Sequence, residues 1–186
     1  VIQSITGNTF SGHFDGNNHT ISNLHMTCTA AGAASNAWGF FGALTDGATV
    51  ENLVFDKSCS FTVAARAGSD TGIVAGLVYN STVRNVINNA PMSVSADAAP
   101  GDNVRLSMGM VGFAFAGGAT VSIDRCMNYG PVSAESAGNT KNGATGLQIA
   151  GIVGFATNAL GSSDRVEITD CTNFADIDTK AARASG

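Results

Sequence analysis

Three groups of side chains in this sequence could do chemistry. Cysteine occurs at Cys28, Cys59, Cys126 and Cys171, histidine at His13, His19 and His25, and side-chain oxygens cluster in Asp15-Gly16-Asn17-Asn18. Thiolates are nucleophiles and metal ligands, imidazole is a base and a ligand, and carboxylate and amide oxygens hold calcium. The spacings weaken each reading. No C-x-x-C occurs, so a zinc site is not indicated. The six-residue histidine spacing lacks the companion carboxylates that orient ligating imidazoles. Asp-Gly and Asn-Asn are first of all turn formers, and the oxygen spacing is not that of an EF-hand or of calcium-binding nonapeptide repeats. His19 reads as support for that turn. The nucleophile motifs Gly-x-Ser-x-Gly and His-Glu-x-x-His are missing. The expectation is therefore no catalytic residue, no cofactor site, no metal site and no enzyme.

Composition narrows the partners. The formal net charge is −5 with only nine Lys and Arg, whereas binding phosphates needs clustered cations; nucleic acid is not an expected partner. Lys180 and Arg183 are the nearest thing to a basic cluster. No apolar run approaches the ~18 residues of a membrane helix, so no membrane span is expected in this segment. Charged residues make up only 12% and glycine occurs 23 times, with Ser, Thr and Asn in place of the usual Glu and Lys. That mixture suits short strands and many turns rather than long helices.

The elements that must position these side chains are internal repeats. Gly39-Phe40-Phe41-Gly42, Gly72-Ile73-Val74-Ala75, Gly109-Met110-Val111-Gly112 and Gly151-Ile152-Val153-Gly154 begin 33, 37 and 42 residues apart. After a polar turn, a second block opens on Val50, Val83, Ile123 or Ile168, with an earlier copy opening on Ile21. Three places later stand Leu24, Leu53, Val86, Cys126 and Cys171, preceded by Asn23, Asn52, Asn85, Arg125 and Asp170. Five places after the leader come Met26, Phe55, Asn88, Asn128 and Asn173, and nine places after it Cys59, Met92, Val132 and Ile177.

Each repeat holds about three short apolar segments, too few to bury its own face, so copies must stack. At ~4.8 Å per coil, five copies make a stack roughly 20–25 Å tall. The expected fold is all-β, a right-handed parallel β-helix (β-solenoid) of about five coils. It forms a single domain over 1–186, with a leading coil at 10–38 and successive repeats at 39–71, 72–108, 109–150 and 151–180. The glycines flanking each aliphatic pair would supply positive φ at a corner or close approach of coils, with Gly76 standing in beside Ala75.

Stacking gives the chemical groups their meaning. Cys126 and Cys171 share a column, and Cys59 stands with Met92, Val132 and Ile177; all read as small buried hydrophobes. Stacked cysteines lie near the ~4.4–6.8 Å Cα window of a disulfide, but parallel in-register side chains seldom supply its ~90° torsion. Cys28 has no aligned partner. Asn23, Asn52 and Asn85 form one expected amide ladder and Asn88, Asn128 and Asn173 another. Hydrolysis of sugars needs two carboxylates ~5–10 Å apart. The aligned copies offer none: Asp124 matches Thr169, Glu51 matches Arg84, Ser122 and Glu167, and Asp170 beside Arg125 reads as an ion pair.

These tetrapeptides resemble the GLUG repeats of bacterial surface proteins, with Phe40, Ile73, Met110 and Ile152 at the Leu position. The stretch from Phe10 to Leu24 (FSGHFDGNNHTISNL) is similar to the segment that commonly precedes such repeats. The resemblance implies a secreted or cell-surface protein of the adhesin kind, frequent in gut Bacteroidetes, in which the repeats accompany rather than perform catalysis. It defines no catalytic residues. Insertions at 64–71, 96–107 and 134–147 project from one corner and form the expected binding face. The reading is a noncatalytic adhesive module, a fragment of a longer extracellular protein, with an unknown host or bacterial surface ligand, a glycan or a protein. A passive stalk presenting a neighbouring domain and a carbohydrate-active β-helix are the alternatives.

Overall fold

A computed structural model describes residues 9–30, 36–65, 69–96, 106–136 and 147–181. The described residues form strands and turns. In chain order the strands are β1 (His13–Ile21), β2 (His25–Ala30), β3 (Asn36–Trp38), β4 (Phe41–Leu44), β5 (Thr49–Phe55), β6 (Ser60–Ala65) and β7 (Ser69–Tyr79). There follow β8 (Thr82–Asn88), β9 (Met92–Ala96), β10 (Leu106–Ala116), β11 (Val121–Asp124), β12 (Met127–Asn128) and β13 (Val132–Ser136). The last are β14 (Leu147–Ile149), β15 (Val153–Asn158), β16 (Val166–Thr169), β17 (Thr172–Asn173) and β18 (Ile177–Ala181).

Three sheets divide these strands. The first runs β1-β5-β8-β11-β16, with β12 pairing β8 and β17; the second runs β2-β6-β9-β13-β18; the third runs β3-β7-β10-β14, with β4 and β15 alongside β7 and β10. The paired strands are parallel throughout, for example Val50↔Val83, Phe61↔Met92 and Val111↔Val153. The chain visits first, second and third sheet in that order each time round, so strands distant in sequence become neighbours in space.

Period-2 alternation sets the inward faces. Val50, Val83 and Ile123 form one fully buried column, and Phe61, Met92 and Val132 another. Burying each such side chain is worth about 1.5–3 kcal/mol. The third sheet is the most enclosed: eight successive residues from Ser69 to Gly76 are buried. Its polar members are tied down, Thr71 donating to the Ser107 carbonyl at 2.9 Å and the Ser107 hydroxyl to the Asp70 carboxylate at 2.5 Å.

The glycines of the tetrapeptides act through close approach. Gly72 pairs with Gly109, the register then slips, and Ala75 pairs with Val111. Gly76 thereby takes the second glycine's place opposite Gly112. A Cβ on Gly76 would lie 2.3 Å from the Trp38 amide nitrogen, and one on Gly112 2.3 Å from that of Thr71. Backbone cannot yield to such contacts.

The register corrects the sequence alignment in two places. Phe14, not Ile21, pairs with Val50, while His19 pairs with Leu53 and Ile21 with Phe55. Ile21-Ser22-Asn23-Leu24 imitates Val50-Glu51-Asn52-Leu53, but a bulge between Asp15 and His19 absorbs the extra residues. Met26 accordingly pairs with Phe61 rather than standing with Phe55. Second, Met92 pairs with Phe61, so Cys59 leaves the column of Met92, Val132 and Ile177. The turn joining β5 to β6 is longer than the one joining β8 to β9, which displaces Cys59 while keeping it buried. The central residues of the three expected insertions, 66–68, 97–105 and 137–146, lie outside the described residues.

Candidate functional site

The Asn88 ladder forms. The Asn88 amide donates to Asn128 Oδ1 at 2.8 Å and the Asn128 amide to Asn173 Oδ1 at 2.8 Å. Each also closes its own turn, donating to the carbonyls of Ala90, Gly130 and Ala175. Asn88 and Asn128 are fully buried. The second ladder forms with a changed member. Asn85 donates to Asn52 Oδ1 at 2.7 Å, and Asn52 donates to Asp15 Oδ1 at 2.9 Å. Asn23 lies outside this ladder because of the bulge, its amide N–H bonding the Ser58 hydroxyl instead. Asn52, Asn85, Arg125 and Asp170 all take left-handed backbone, with φ of 55°, 51°, 49° and 50°. Asn and Asp tolerate that conformation and Arg does so at a cost.

A row of charges runs across the outer side of the first sheet. Asp15, Glu51, Arg84, Asp124 and Thr169 are successive partners. Ser122 pairs instead with Thr82 and Glu167, so the alignment of Glu51 with Ser122 and Glu167 is corrected. Buried Glu51 accepts hydrogen bonds from Arg84 Nε and His13 Nε2, each at 2.6 Å, and the Arg84 guanidinium, followed by the His13 bond, holds its carboxyl below the ordinary range. Asp15 is held low by the Asn52 amide and then the Asn17 N–H. Asp124 is held low by the Thr169 hydroxyl and then by Arg125, whose Nε lies 2.7 Å away. The expected Arg125–Asp170 pair is thus corrected: Arg125 turns to its chain neighbour.

Two carboxylates, Asp15 and Glu51, therefore do sit on adjacent strands, which the shifted alignment concealed. Both are stabilised as anions, so neither is poised to donate a proton as a glycosidase acid must. The histidines part company: His13 binds Glu51, His25 Nδ1 meets the Ser60 hydroxyl at 2.9 Å, and His19 stands opposite Leu53. The Asp15 turn closes on its own Asn17 N–H. Among the described residues no three His, Cys, Asp or Glu side chains gather as a metal site.

All four cysteines are free thiols. Cys28, Cys59 and Cys126 are buried, but Cys171 is half-buried, a correction to its expected place in the core. It lies between β16 and β17, which pair with β11 and β12.

The outer side of the second sheet carries a feature the sequence pattern did not single out. Thr27, Thr62, Ser93, Ser133 and Asp178 form one outward row, and Thr29, Ala64, Ser95, Glu135 and Lys180 the next. A depression of about 270 Å³ opens over them, lined by Thr62, Ser93, Ser133, Glu135, Asp178 and Lys180 among others. The Ser93 hydroxyl donates to that of Thr62 at 3.2 Å. Where the chain enters this sheet, Tyr129 and Phe174 stack with centroids 4.8 Å apart and planes 8° from parallel, both exposed. The signal was present as period-2 Ser and Thr in β6, β9 and β13. Comparison of the chain with protein-family models, with curated proteins and with solved structures gave no match.

Proposed function

We propose that the three parallel sheets are the faces of a right-handed β-solenoid of about five coils, a GLUG-like repeat module that serves as a noncatalytic adhesive domain of a secreted or cell-surface protein. The observation that carries the adhesive reading is the hydroxyl-lined depression on the second sheet, with Glu135, Asp178 and Lys180 at one end. At about 270 Å³ it falls just short of the usual ~300–1,000 Å³ of enclosed small-molecule sites. That size suits one or two sugar units held against a surface. Dense hydroxyls with one cation and two anions match a neutral or weakly charged glycan, and the exposed Tyr129–Phe174 stack, where the chain enters the same sheet, offers an amphipathic platform. The noncatalytic reading is supported by the charge row on the first sheet, where Asp15, Glu51 and Asp124 are all held as anions.

A glycan array probed with the chain and with Ser133→Leu, which fills the depression, tests this. Selective binding that Ser133→Leu abolishes supports adhesion through the second sheet. No binding to any glycan would leave the passive stalk as the better reading. Release of new reducing ends or unsaturated products from a bound polysaccharide would overturn the noncatalytic assignment.

A further inference from the structure

Cys126 and Cys171 are the two thiols that share a column. The pairings Asp124↔Thr169 and Met127↔Thr172 on either side set them opposite one another, each between two short parallel strands. Strands in such a ladder lie ~4.8 Å apart, inside the ~4.4–6.8 Å Cα range that a disulfide spans. Their contact is direct, the Cys126 N–H donating to Cys171 Sγ at 3.4 Å. The usual obstacle to bridging stacked residues is torsional: both side chains are locked by turns above and below. Cys171 is less constrained than its partner, because its side chain is only half-buried.

The electrostatics favour one sulfur over the other. The Cys126 side chain and then its N–H, both donating to Cys171, bring that thiol down to about 7, against burial and the charges of Asp124 and Asp170. Cys126 is pushed well up by its donation to Cys171 and then by burial. Burial also raises Cys28, and buried Cys59 donates to the Ile21 carbonyl at 3.2 Å. A low, accessible thiol beside a second cysteine is the arrangement of a redox-sensitive pair.

We propose that Cys171 and Cys126 form an oxidisable dithiol, in which Cys171 attacks a hydroperoxide and Cys126 closes a disulfide between the β11–β12 and β16–β17 segments. In the first step the Cys171 thiolate gives its electron pair to the distal peroxide oxygen. The O–O bond breaks, Cys171 becomes a sulfenic acid, and the remaining oxygen leaves as an alcohol or water after taking up a proton. In the second step Cys126 sulfur attacks Cys171 sulfur, the S–OH bond breaks, and hydroxide leaves as water with the Cys126 proton. The pair loses two electrons and the peroxide gains them.

Iodoacetamide labelling of the native full chain, read by peptide mass spectrometry, tests the first half. Cys171 is expected to label at least about tenfold faster than Cys28 and Cys59 at pH 7.5, given its greater thiolate fraction and access. Treatment with hydrogen peroxide, followed by non-reducing digestion, is expected to yield a cross-linked peptide joining Cys126 and Cys171. Cys171→Ser should abolish that peptide, and Cys126→Ser should leave Cys171 as a sulfenic acid trapped by dimedone. Labelling of Cys171 no faster than of Cys28 and Cys59 overturns the proposal. So does oxidation of Cys171 in the unsubstituted chain without a cross-link to Cys126.

Discussion

At the scale of single residues, the ladders make different demands on chemically identical side chains. Asn128 accepts from Asn88, donates to Asn173 and closes its own turn on the Gly130 carbonyl, all while buried. Replacing it by Ala orphans groups on both neighbours, so Asn128→Ala should cost about 1–3 kcal/mol. Asn173→Ala, at the exposed end, should cost well under half of that; urea titrations giving equal losses would count against the ladder. Arg125 presents the opposite case. It holds φ of 49° where its column otherwise has Asn or Asp, a conformation costing a non-glycine residue roughly 1–2 kcal/mol. Arg125→Asn should therefore raise the urea midpoint, even though the exposed bond to Asp124 is lost. The carboxylates give a pH dependence of definite sign. Glu51, Asp15 and Asp124 are all lowered on folding from ordinary values of 4.5 for the Glu and 3.8 for the Asp residues. The unfolded chain thus binds protons first as pH falls, and stability present above pH ~4.5 is lost below it. Midpoints at pH 7 and pH 3 should differ, and Glu51→Gln should shrink that difference; an unchanged difference would mean the Glu51 network contributes nothing.

At the scale of elements, parallel pairing converts a repeat in sequence into a column in space, and glycine decides how close columns come. Gly112 and Gly47 separate the two uses of that residue. A Cβ at Gly112 would meet backbone at 2.3 Å, whereas at Gly47 nothing stands within 4 Å and only a φ of +82° opposes it. Gly112→Ala should cost about 3 kcal/mol or more through forced displacement of backbone, and Gly47→Ala about 1 kcal/mol. Thermal melts that rank the two in reverse order would refute the close-approach account. The same elements show what the sequence could reveal. The columns through Val50, Val83 and Ile123 were legible because apolar period and spacing agree there. The first strand was not legible, since Phe14 is flanked by polar residues and Ile21 heads a better local match. Two-residue changes in turn length, as before Phe61, also escape alignment because turns carry no apolar signal. The depression on the second sheet was visible only as scattered Ser and Thr, which become a surface once β6, β9 and β13 lie in register. Asp70 went unnoticed because a single acid between Ser69 and Thr71 gives no hint of burial until Ser107 is placed beside it.

At the scale of the whole molecule, each parallel strand contacts mainly its neighbours in the sheet, so stability is distributed along the sheets rather than held in one centre. The gradient is visible in one apolar column: Ile123 is fully buried, whereas Ile168, its partner on β16, is 47% exposed. In the next column Val132 is 1% exposed and Ile177, its partner on β18, 43%. Because the energy of an aliphatic side chain follows the area it removes from water, Ile168 and Ile177 contribute roughly half as much as their partners Ile123 and Val132. Opening of β16, β17 and β18 should then require less free energy than opening of β8 or β10, which have neighbours on both sides. Hydrogen exchange read by mass spectrometry should find amides of residues 166–181 exchanging before those of β7, β8 and β10. Ile123→Ala should lower global stability by about 2–5 kcal/mol, while Ile168→Ala should accelerate exchange only in β16–β18, at a smaller cost. Uniform protection along the chain would mean that the sheets unfold as one cooperative unit, and the nearest-neighbour account would have to be abandoned.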